Sequence, residues 1–399
     1  MTPDPIEVVD AVHRDVLAAA GPGLPSWRNL AELVRGRAPL LSGPELDHTV
    51  AQVQARITGL GPLEPLLSDP RVTDVLVNGP GPVWVERGGL LERTAVVLDR
   101  PTIDLIIERI VAPLGRRVDP ASPVVDGRLA DGSRVHVVVP PLAIDGPCLT
   151  IRRFGTQAIS LSDVAGPGVV ALLEWAVRAR ANLLVVGGTG SGKTTLLNAL
   201  AAAIPAGERI ITVEDAAELR LPSDHVVRLE TRPASVEGTA SISCRELVRN
   251  ALRMRPDRLI VGEVRSGEAL DMIQAMNTGH DGSLSTLHAN GCDDALRRLE
   301  TLVLLAGVGL PLEAVRDHLA SAVDFVVHVQ RGDAGHRRVV AVAEVLSAEA
   351  AIAVHGQPGV VPRTQLLATG TDVLRRPTRG HRDLRTAPAL PGWQRGAAS

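Results

Sequence analysis

Residues 182–204 read NLLVVGGTGSGKTTLLNALAAAI, and no other stretch constrains the fold as strongly. An apolar run ends in Gly187, a glycine-rich segment follows, and a helix-forming sequence begins near Lys193. This order fits the phosphate-loop pattern G-x-x-x-x-G-K-[ST] in its strand–loop–helix setting. Backbone N–H groups and the positive end of the helix are expected to bind phosphates there, with Lys193 on the β- and γ-phosphates and Thr194 on Mg²⁺. The predicted nucleotide-binding residues are Gly187, Gly188, Thr189, Gly190, Ser191, Gly192, Lys193, Thr194 and Thr195.

Lys193 is the only lysine in the chain, although the chain has 42 basic residues. All the others are arginine, whose planar fork differs in shape from the compact ammonium group that a phosphate loop accommodates. Because arginine is used at every other basic position, the lysine at position 193 indicates a chemical requirement for lysine in a working enzyme. The same count disfavours a GTPase, because the base-reading motif N-K-x-D needs a second lysine.

Composition narrows the class of protein. The net charge is −3 and aromatic residues make up 2% of the chain, which disfavours a general nucleic-acid or membrane-surface binder. The three cysteines are widely spaced and form no CxxC pair, as expected of thiols in a reducing cytosol. No apolar run is long enough to span a bilayer, so we expect a soluble cytoplasmic protein that reaches a membrane through a partner.

Hydrophobic periodicity divides the chain into four parts. Residues 1–57 predict a helical N-terminal extension, and residues 59–154 predict a small α/β domain of short strands and one helix. In residues 163–346 apolar strands alternate with helices, which is typical of a parallel sheet covered on both faces. Residues 347–399 are rich in Arg and Pro and are predicted to form a disordered tail.

Two of the predicted strands in residues 163–346 end in acidic residues. IITVEDAAEL carries Glu214, Asp215 and Glu218, and RLIVGEVR carries Glu263. Because ligands of open α/β sheets bind at the carboxyl ends of the strands, these acids are candidates for holding Mg²⁺ and orienting water. A single such acid is more often a solvated loop residue or, for Asp215, a helix N-cap. Two acid-terminated strands downstream of a phosphate loop favour the catalytic interpretation.

The segment NTGHDGSLSTLHAN contains His280 and His288. Metal ligation is one interpretation, but the segment predicts a strand with glycine breaks rather than a helix that presents both rings on one face, and it has no matching cysteines. A single histidine is more often an ordinary surface or core residue. Because His288 would end a third strand beside the phosphates, together with the other motifs it is a candidate to sense the γ-phosphate or donate a hydrogen bond to it.

Four stretches in this order, GGTGSGKTT, TVEDAAEL, LRMRPDRLIVGEVR and NTGHDGSLSTLHAN, closely resemble the Walker A, Asp box, Walker B and His box of the type II/type IV secretion and pilus-assembly ATPases. Within that superfamily, ETRPASVEG, NALRMRPDR and GEALDMIQAMNTGHDGS resemble the tight-adherence (Tad/Flp) pilus branch, also called CpaF-like. The resemblance covers roughly residues 59–345. One departure is the Asp box, which reads EDAAE where the wider superfamily often has Pro after the Asp.

The resemblance implies an α/β fold in which a RecA-like P-loop NTPase domain follows the small α/β domain, with ATP and Mg²⁺ bound. Roles in hydrolysis carry over to Walker A Lys193, the candidate catalytic base Glu218, the Walker B acid Glu263 and the His-box residue His288, with His280 as the first His of that box. The implied metal ligands are Thr194, Glu263 and Glu214. Arginines of the small domain reach the phosphates in this family, and Arg134 and Arg152 fit such positions, with Arg128 a weaker match.

The function that the resemblance implies is an ATPase motor that powers pilus assembly or protein secretion. It would work as a homohexamer on an inner-membrane platform protein, at the cytoplasmic face of the cell membrane, with neither specific nucleic-acid binding nor membrane insertion of its own. Two alternatives stay open. One is a conjugation-related or other nucleic-acid motor, since RecA-like rings also translocate DNA. The other is a nucleotide-gated scaffold that binds ATP and barely turns it over.

Overall fold

The computed structural model describes residues 5–18, 26–153, 159–232, 240–307, 309–332, 336–347, 364–375 and 377. The chain divides into two compact units, residues 1–156 and residues 157–399. None of the helices in these described ranges is long and apolar enough to cross a membrane.

The first unit begins with helices α1 (Pro5–Ala18), α2 (Trp27–Arg37) and α3 (Gly43–Thr58), followed by the short α4 (Glu64–Ser68). Apolar residues at helical spacing give α1 to α3 a core of their own, which includes Val12, Leu30, Val34, Val50 and Val53. The apolar periodicity that predicts helices in residues 1–57 therefore also supplies the residues by which these helices pack against one another.

The first unit continues with a six-stranded antiparallel sheet in the order β3-β2-β1-β6-β5-β4 and one helix, α5 (Arg100–Val111). The strands are β1 (Val72–Asn78), β2 (Gly81–Arg87), β3 (Leu90–Leu98), β4 (Val124–Arg128), β5 (Arg134–Val138) and β6 (Cys148–Arg152). Asp99 caps α5 by accepting a hydrogen bond from Thr102 N. The helix buries Ile103, Ile106, Ile107 and Ile110 in one core with the strands.

The second unit is built on a nine-stranded sheet in the order β15-β14-β13-β12-β7-β11-β10-β8-β9. The six neighbouring strands β12, β7, β11, β10, β8 and β9 are parallel to one another. Strands β13, β14 and β15 continue the sheet beyond β12 in antiparallel pairs. The strands are β7 (Leu183–Gly187), β8 (Ile210–Glu214), β9 (Val226–Glu230), β10 (Arg258–Val264), β11 (Leu284–His288), β12 (Phe325–Arg331), β13 (Arg337–Val345), β14 (Thr364–Thr369) and β15 (Asp372–Val373).

Helices cover both faces of this sheet, and each face has its own apolar core. The helices are α6 (Pro167–Arg178), α7 (Lys193–Ala201), α8 (Cys244–Ala251), α9 (Glu268–Asn277), α10 (Cys292–Leu305) and α11 (Leu312–Ala322). The parallel strands β7, β8 and β10 are buried almost throughout, which explains their unbroken Val, Ile and Leu runs.

The predicted disordered tail is wrong for Thr364–Val373. These residues form β14 and β15, and β14 pairs along the outer side of β13. Leu367 and Ala368 are buried, with Leu367 fully inaccessible. The prediction missed this short strand because the sequence around it is rich in Arg and Pro. Its backbone pairs with that of β13 in an antiparallel ladder. Residues 348–363, 376 and 378–399 of the predicted tail lie outside the described residues.

Candidate nucleotide-binding site

The phosphate loop joins β7 to α7 at the carboxyl edge of the parallel strands. Gly190 and Gly192 have φ angles of 68° and 96°, in the left-handed region that favours glycine. A Cβ atom on Gly187 would lie 2.5 Å from Ser191 Oγ and would also collide with the carbonyl oxygen of Val329. Gly187 is therefore required by close contacts, and Gly190 and Gly192 by the backbone conformation of the loop.

Lys193, the first residue of α7, turns its side chain back over the loop. Its Nζ donates hydrogen bonds to the carbonyl oxygens of Gly187 and Gly188, at 3.1 and 3.0 Å. The ammonium group thus lies inside the loop, where a group that binds the β- and γ-phosphates is expected.

Strand order collects the other candidate residues beside this loop. Strands β7, β11, β10 and β8 are successive neighbours, about 4.8 Å apart. Gly187 ends β7 and is the register partner of His288, which ends β11. Glu263 lies near the end of β10, and Glu214 ends β8. Four segments that are far apart in sequence therefore meet at one edge of the sheet.

An irregularity in β10 aims Glu263 out of the ladder. The register between β10 and β11 shifts between Val261 and Val264, where Gly262 and Glu263 lie. The carbonyl oxygen of Gly262 accepts a hydrogen bond of 2.6 Å from Thr286 Oγ1. Bulges of this kind redirect side chains next to active sites, and Glu263 is partly exposed while its neighbours in β10 are buried.

Glu214 is buried behind the loop that carries Glu218. Its Oε1 accepts hydrogen bonds from the backbone N–H of Glu218 (2.8 Å) and Leu219 (3.0 Å). Its Oε2 is buried with no hydrogen-bond partner among the described residues, and burial raises the pKa of the carboxyl to about 7. Gly262 makes room for it, since a Cβ there would lie 2.8 Å from Glu214 Cγ. These contacts favour a role in positioning Glu218 over the predicted role as a magnesium ligand.

The structure does not bring His280 and His288 together. His288 is the last residue of β11, whereas His280 precedes the first, and the five residues of the strand span about 16 Å. Across the ranges that the structure describes, no group of three or more His, Cys, Asp or Glu side chains could hold a metal ion. A metal site shared by the two histidines is therefore excluded by the length of the strand.

Comparison with known proteins decides the family. Residues 56–357 match the family model described as Type II/IV secretion system protein. A protein of Mycobacterium tuberculosis strain H37Rv, provisionally named for conjugal transfer, is 43% identical over 322 residues, covering 78% of this chain and 91% of that protein. The type IV secretion system protein PtlH of Bordetella pertussis strain Tohama I is 38% identical over 313 residues, covering 70% and 91%. The crystal structure of the pilus retraction motor PilT with bound ADP has a TM-score of 0.54 at 22% identity, covering 72% and 83%.

The chain belongs to the type II/IV secretion ATPase family. The predicted α/β fold, with a small N-terminal domain and a RecA-like ATPase domain, is confirmed. The prediction of an ATP hydrolase that powers secretion machinery is confirmed at the level of the family.

Arg265 of this secretion ATPase is a residue that the sequence reasoning missed. Its Nη2 donates a 2.5 Å hydrogen bond to Glu263 Oε2, and its Nη1 donates one of 3.3 Å to Asp215 Oδ2. The bond to Glu263, together with the charges of Asp215 and Glu218, raises the pKa of the guanidinium. Arg265 therefore marks the point where carboxylates from two strand ends converge. The sequence GEVR, which places this arginine two residues after Glu263, is the signal that could have identified it.

A second missed arginine contacts the phosphate loop of the secretion ATPase directly. Arg337 Nη1 donates a hydrogen bond to Thr195 Oγ1 at 3.0 Å. Thr195 follows Thr194 in the first turn of α7, the end of the helix that attracts anions. The residues around Arg337 in sequence do not predict this contact, because it depends on the order of the strands in the sheet.

The arginines predicted in the first unit form a row across three strands. Arg134 on β5 is the register partner of Arg128 on β4 and of Arg152 on β6. Opposed residues of antiparallel strands share a face, so the structure places the three side by side, with Asp74 of β1 opposite Arg152. Their contact with phosphates stays a prediction.

Proposed function

We propose that the secretion ATPase hydrolyses ATP as its magnesium complex, with Glu218 as the group that polarises the attacking water. The observation that carries this proposal is the convergence of Glu218, Glu263 and Asp215 around Arg265 at the edge of the sheet that also holds the phosphate loop. Carboxylate and hydroxyl oxygens are the ligands that Mg²⁺ prefers. Thr194 and Glu263 would hold the ion, which when bound neutralises charge on the phosphates.

The remaining groups have supporting roles in this proposal. The bond between Lys193 and the loop carbonyls would be exchanged for one to phosphate. His288, opposite Gly187 in the ladder, would donate a hydrogen bond to the γ-phosphate, and Glu214 would keep the Glu218 segment in place through its two backbone contacts.

Glu218→Gln tests the catalytic part of this proposal. Loss of the base should lower ATP turnover by about 100-fold or more, with the Kd for ATP close to that of the wild type. Glu313→Gln, an exposed acid in the first turn of α11, is the matched control and should keep full turnover. Phosphate release by Glu218→Gln equal to that of an active wild type would contradict the role of Glu218, and release near background in both proteins would favour the scaffold that binds ATP and barely turns it over.

We further propose that the machine is a tight-adherence (Tad/Flp) pilus and that this chain is its CpaF-like assembly motor. The stretches ETRPASVEG and GEALDMIQAMNTGHDGS support this branch. In the proposal the chain acts as a homohexamer at the cytoplasmic face of the membrane, and its ATP cycle moves an inner-membrane platform protein.

Pilus counts in cells test this assignment. A strain that lacks the gene should lose surface pili, and the wild-type chain and Glu313→Gln should restore them, whereas Glu218→Gln should not. Full piliation in the deletion strain would contradict the pilus assignment without affecting the ATPase assignment.

A conjugation-related motor is the second candidate, because a relative 43% identical to this chain is named for conjugal transfer. A DNA motor should show ATPase activity that rises strongly with added DNA and loses this stimulation steeply between about 50 and 200 mM salt. The pilus assignment predicts turnover that does not respond to DNA at either salt concentration.

A further inference from the structure

The antiparallel strands β12 and β13 reach the phosphate loop from outside the four motifs. β12 pairs with β7, the strand that leads into the loop. Its last residue, Arg331, is the register partner of Arg337, the first residue of β13. Because opposed residues of antiparallel strands share a face, both arginines belong to the same side of the sheet.

Both side chains lie against the glycines of the loop. Arg337 donates its hydrogen bond to Thr195 Oγ1, and a Cβ atom on Gly192 would collide with Arg337 Cδ and lie 3.2 Å from its Nε. A Cβ on Gly190 would lie 3.6 Å from Arg331 Nη1. Gly192 thus has two reasons to be glycine, its φ of 96° and the arginine packed against it.

These contacts bring guanidinium groups to a loop whose N–H groups and helix terminus attract anions. Arginine suits phosphate because its planar fork can donate two parallel hydrogen bonds. We propose that Arg337, with Arg331 beside it, binds the phosphates of the nucleotide as a cation supplied by the same unit as the phosphate loop. Thr195 holds the Arg337 guanidinium next to the first turn of α7. This role is separate from the one predicted for the first-unit arginines.

ADP binding to the full chain, measured by isothermal titration calorimetry, tests the proposal. Arg337→Ala removes a charge-assisted hydrogen bond, so the Kd for ADP should rise about tenfold or more. Arg338→Ala is the matched control. Arg338 is the next residue on β13, points to the opposite face and is exposed, so its replacement should leave the Kd unchanged.

Two conservative variants separate a phosphate contact from a merely structural one. Arg337→Lys keeps the positive charge and should keep most of the affinity. Arg337→Gln keeps a hydrogen-bond donor for Thr195 without the charge and should bind ADP as weakly as Arg337→Ala. If Arg337 only supports the loop through Thr195, Gln will restore affinity as well as Lys does, and the proposal is overturned.

The outcomes also separate this proposal from the nucleotide assignment on which it rests. A wild-type Kd in folded Arg337→Ala overturns the proposal, while ADP binding by the wild-type chain and its loss in Lys193→Ala keep the assignment intact. Absence of ADP binding by the wild-type chain overturns both. Should Arg337→Ala fail to fold by circular dichroism, the comparison of the Lys and Gln variants decides the question.

Discussion

Replacing Glu214 by glutamine removes a titrating group from the interior of the second unit. Burial raises the pKa of this carboxyl from 4.5 to about 7, so between these pH values the folded protein holds a proton that the unfolded chain releases. The stability that this proton binding contributes is fully present below about pH 4.5 and is lost as the pH rises through about 7. The gap between the two pKa values corresponds to about 3 kcal/mol.

Glutamine is neutral at every pH and can still accept the hydrogen bonds from the backbone of Glu218 and Leu219. Unfolding of Glu214→Gln should therefore lack this pH dependence. The Tm of the variant relative to that of the wild type should increase by roughly 5–10 °C between pH 5 and pH 8. ATP turnover should persist, since the Glu218 segment keeps its anchor, whereas Glu214→Ala should lose turnover together with both hydrogen bonds.

Thermal unfolding followed by circular dichroism from pH 5 to pH 8 measures the effect. Glu313→Gln, an exposed exchange of the same kind, should follow the wild-type profile. Parallel Tm profiles for Glu214→Gln and the wild type would refute the buried, proton-binding carboxyl, and loss of turnover in Glu214→Gln with the fold intact would restore the metal-ligand role.

Three further variants test other parts of the account. Arg265→Ala removes the cation beside Glu263, so the Mg²⁺ concentration for half-maximal turnover should fall severalfold; an unchanged or higher requirement would argue against competition for that carboxylate. Thr286→Val leaves the carbonyl of Gly262 without its hydroxyl donor and should cost about 1–3 kcal/mol, visible as a lower Tm, and an unchanged Tm would show that the bond is replaceable. Leu367→Ala in β14 should destabilise the fold by about 2–5 kcal/mol in urea unfolding, while a neutral effect would return this segment to the disordered tail that the composition predicted.

Sequence patterns predict those parts of the site that depend on backbone conformation and on residues close together in the chain. Gly190 and Gly192 follow from the positive φ angles of the loop, and the strand that carries Glu263 near its end can be recognised because its apolar run is continuous. These features depend on residues a few positions apart, so a single sequence contains them.

Contacts made by the order of the strands could not be predicted in this way. Arg337 meets Thr195 across a separation of 142 residues, because β13 lies beside β12 and β12 beside β7. The burial of Glu214 depends on Gly262 in the neighbouring strand, and its hydrogen bonds to the backbone of Glu218 and Leu219 could not be foreseen from the sequence, where the family resemblance implied a metal ligand. The strand Thr364–Thr369 was missed for a related reason, since its partner β13 and not its own composition stabilises it.

The central claim is that the secretion ATPase turns over ATP at the phosphate loop and needs the ammonium group of Lys193 there. Turnover by Lys193→Arg is the most direct test, with the reverse exchange Arg338→Lys at an exposed site as the control. The account predicts that Lys193→Arg keeps its circular dichroism spectrum and loses about 100-fold or more in kcat, because the fork of arginine cannot replace a compact charge inside the loop. Near-normal kcat in folded Lys193→Arg, with Arg338→Lys also unaffected, would contradict the claim.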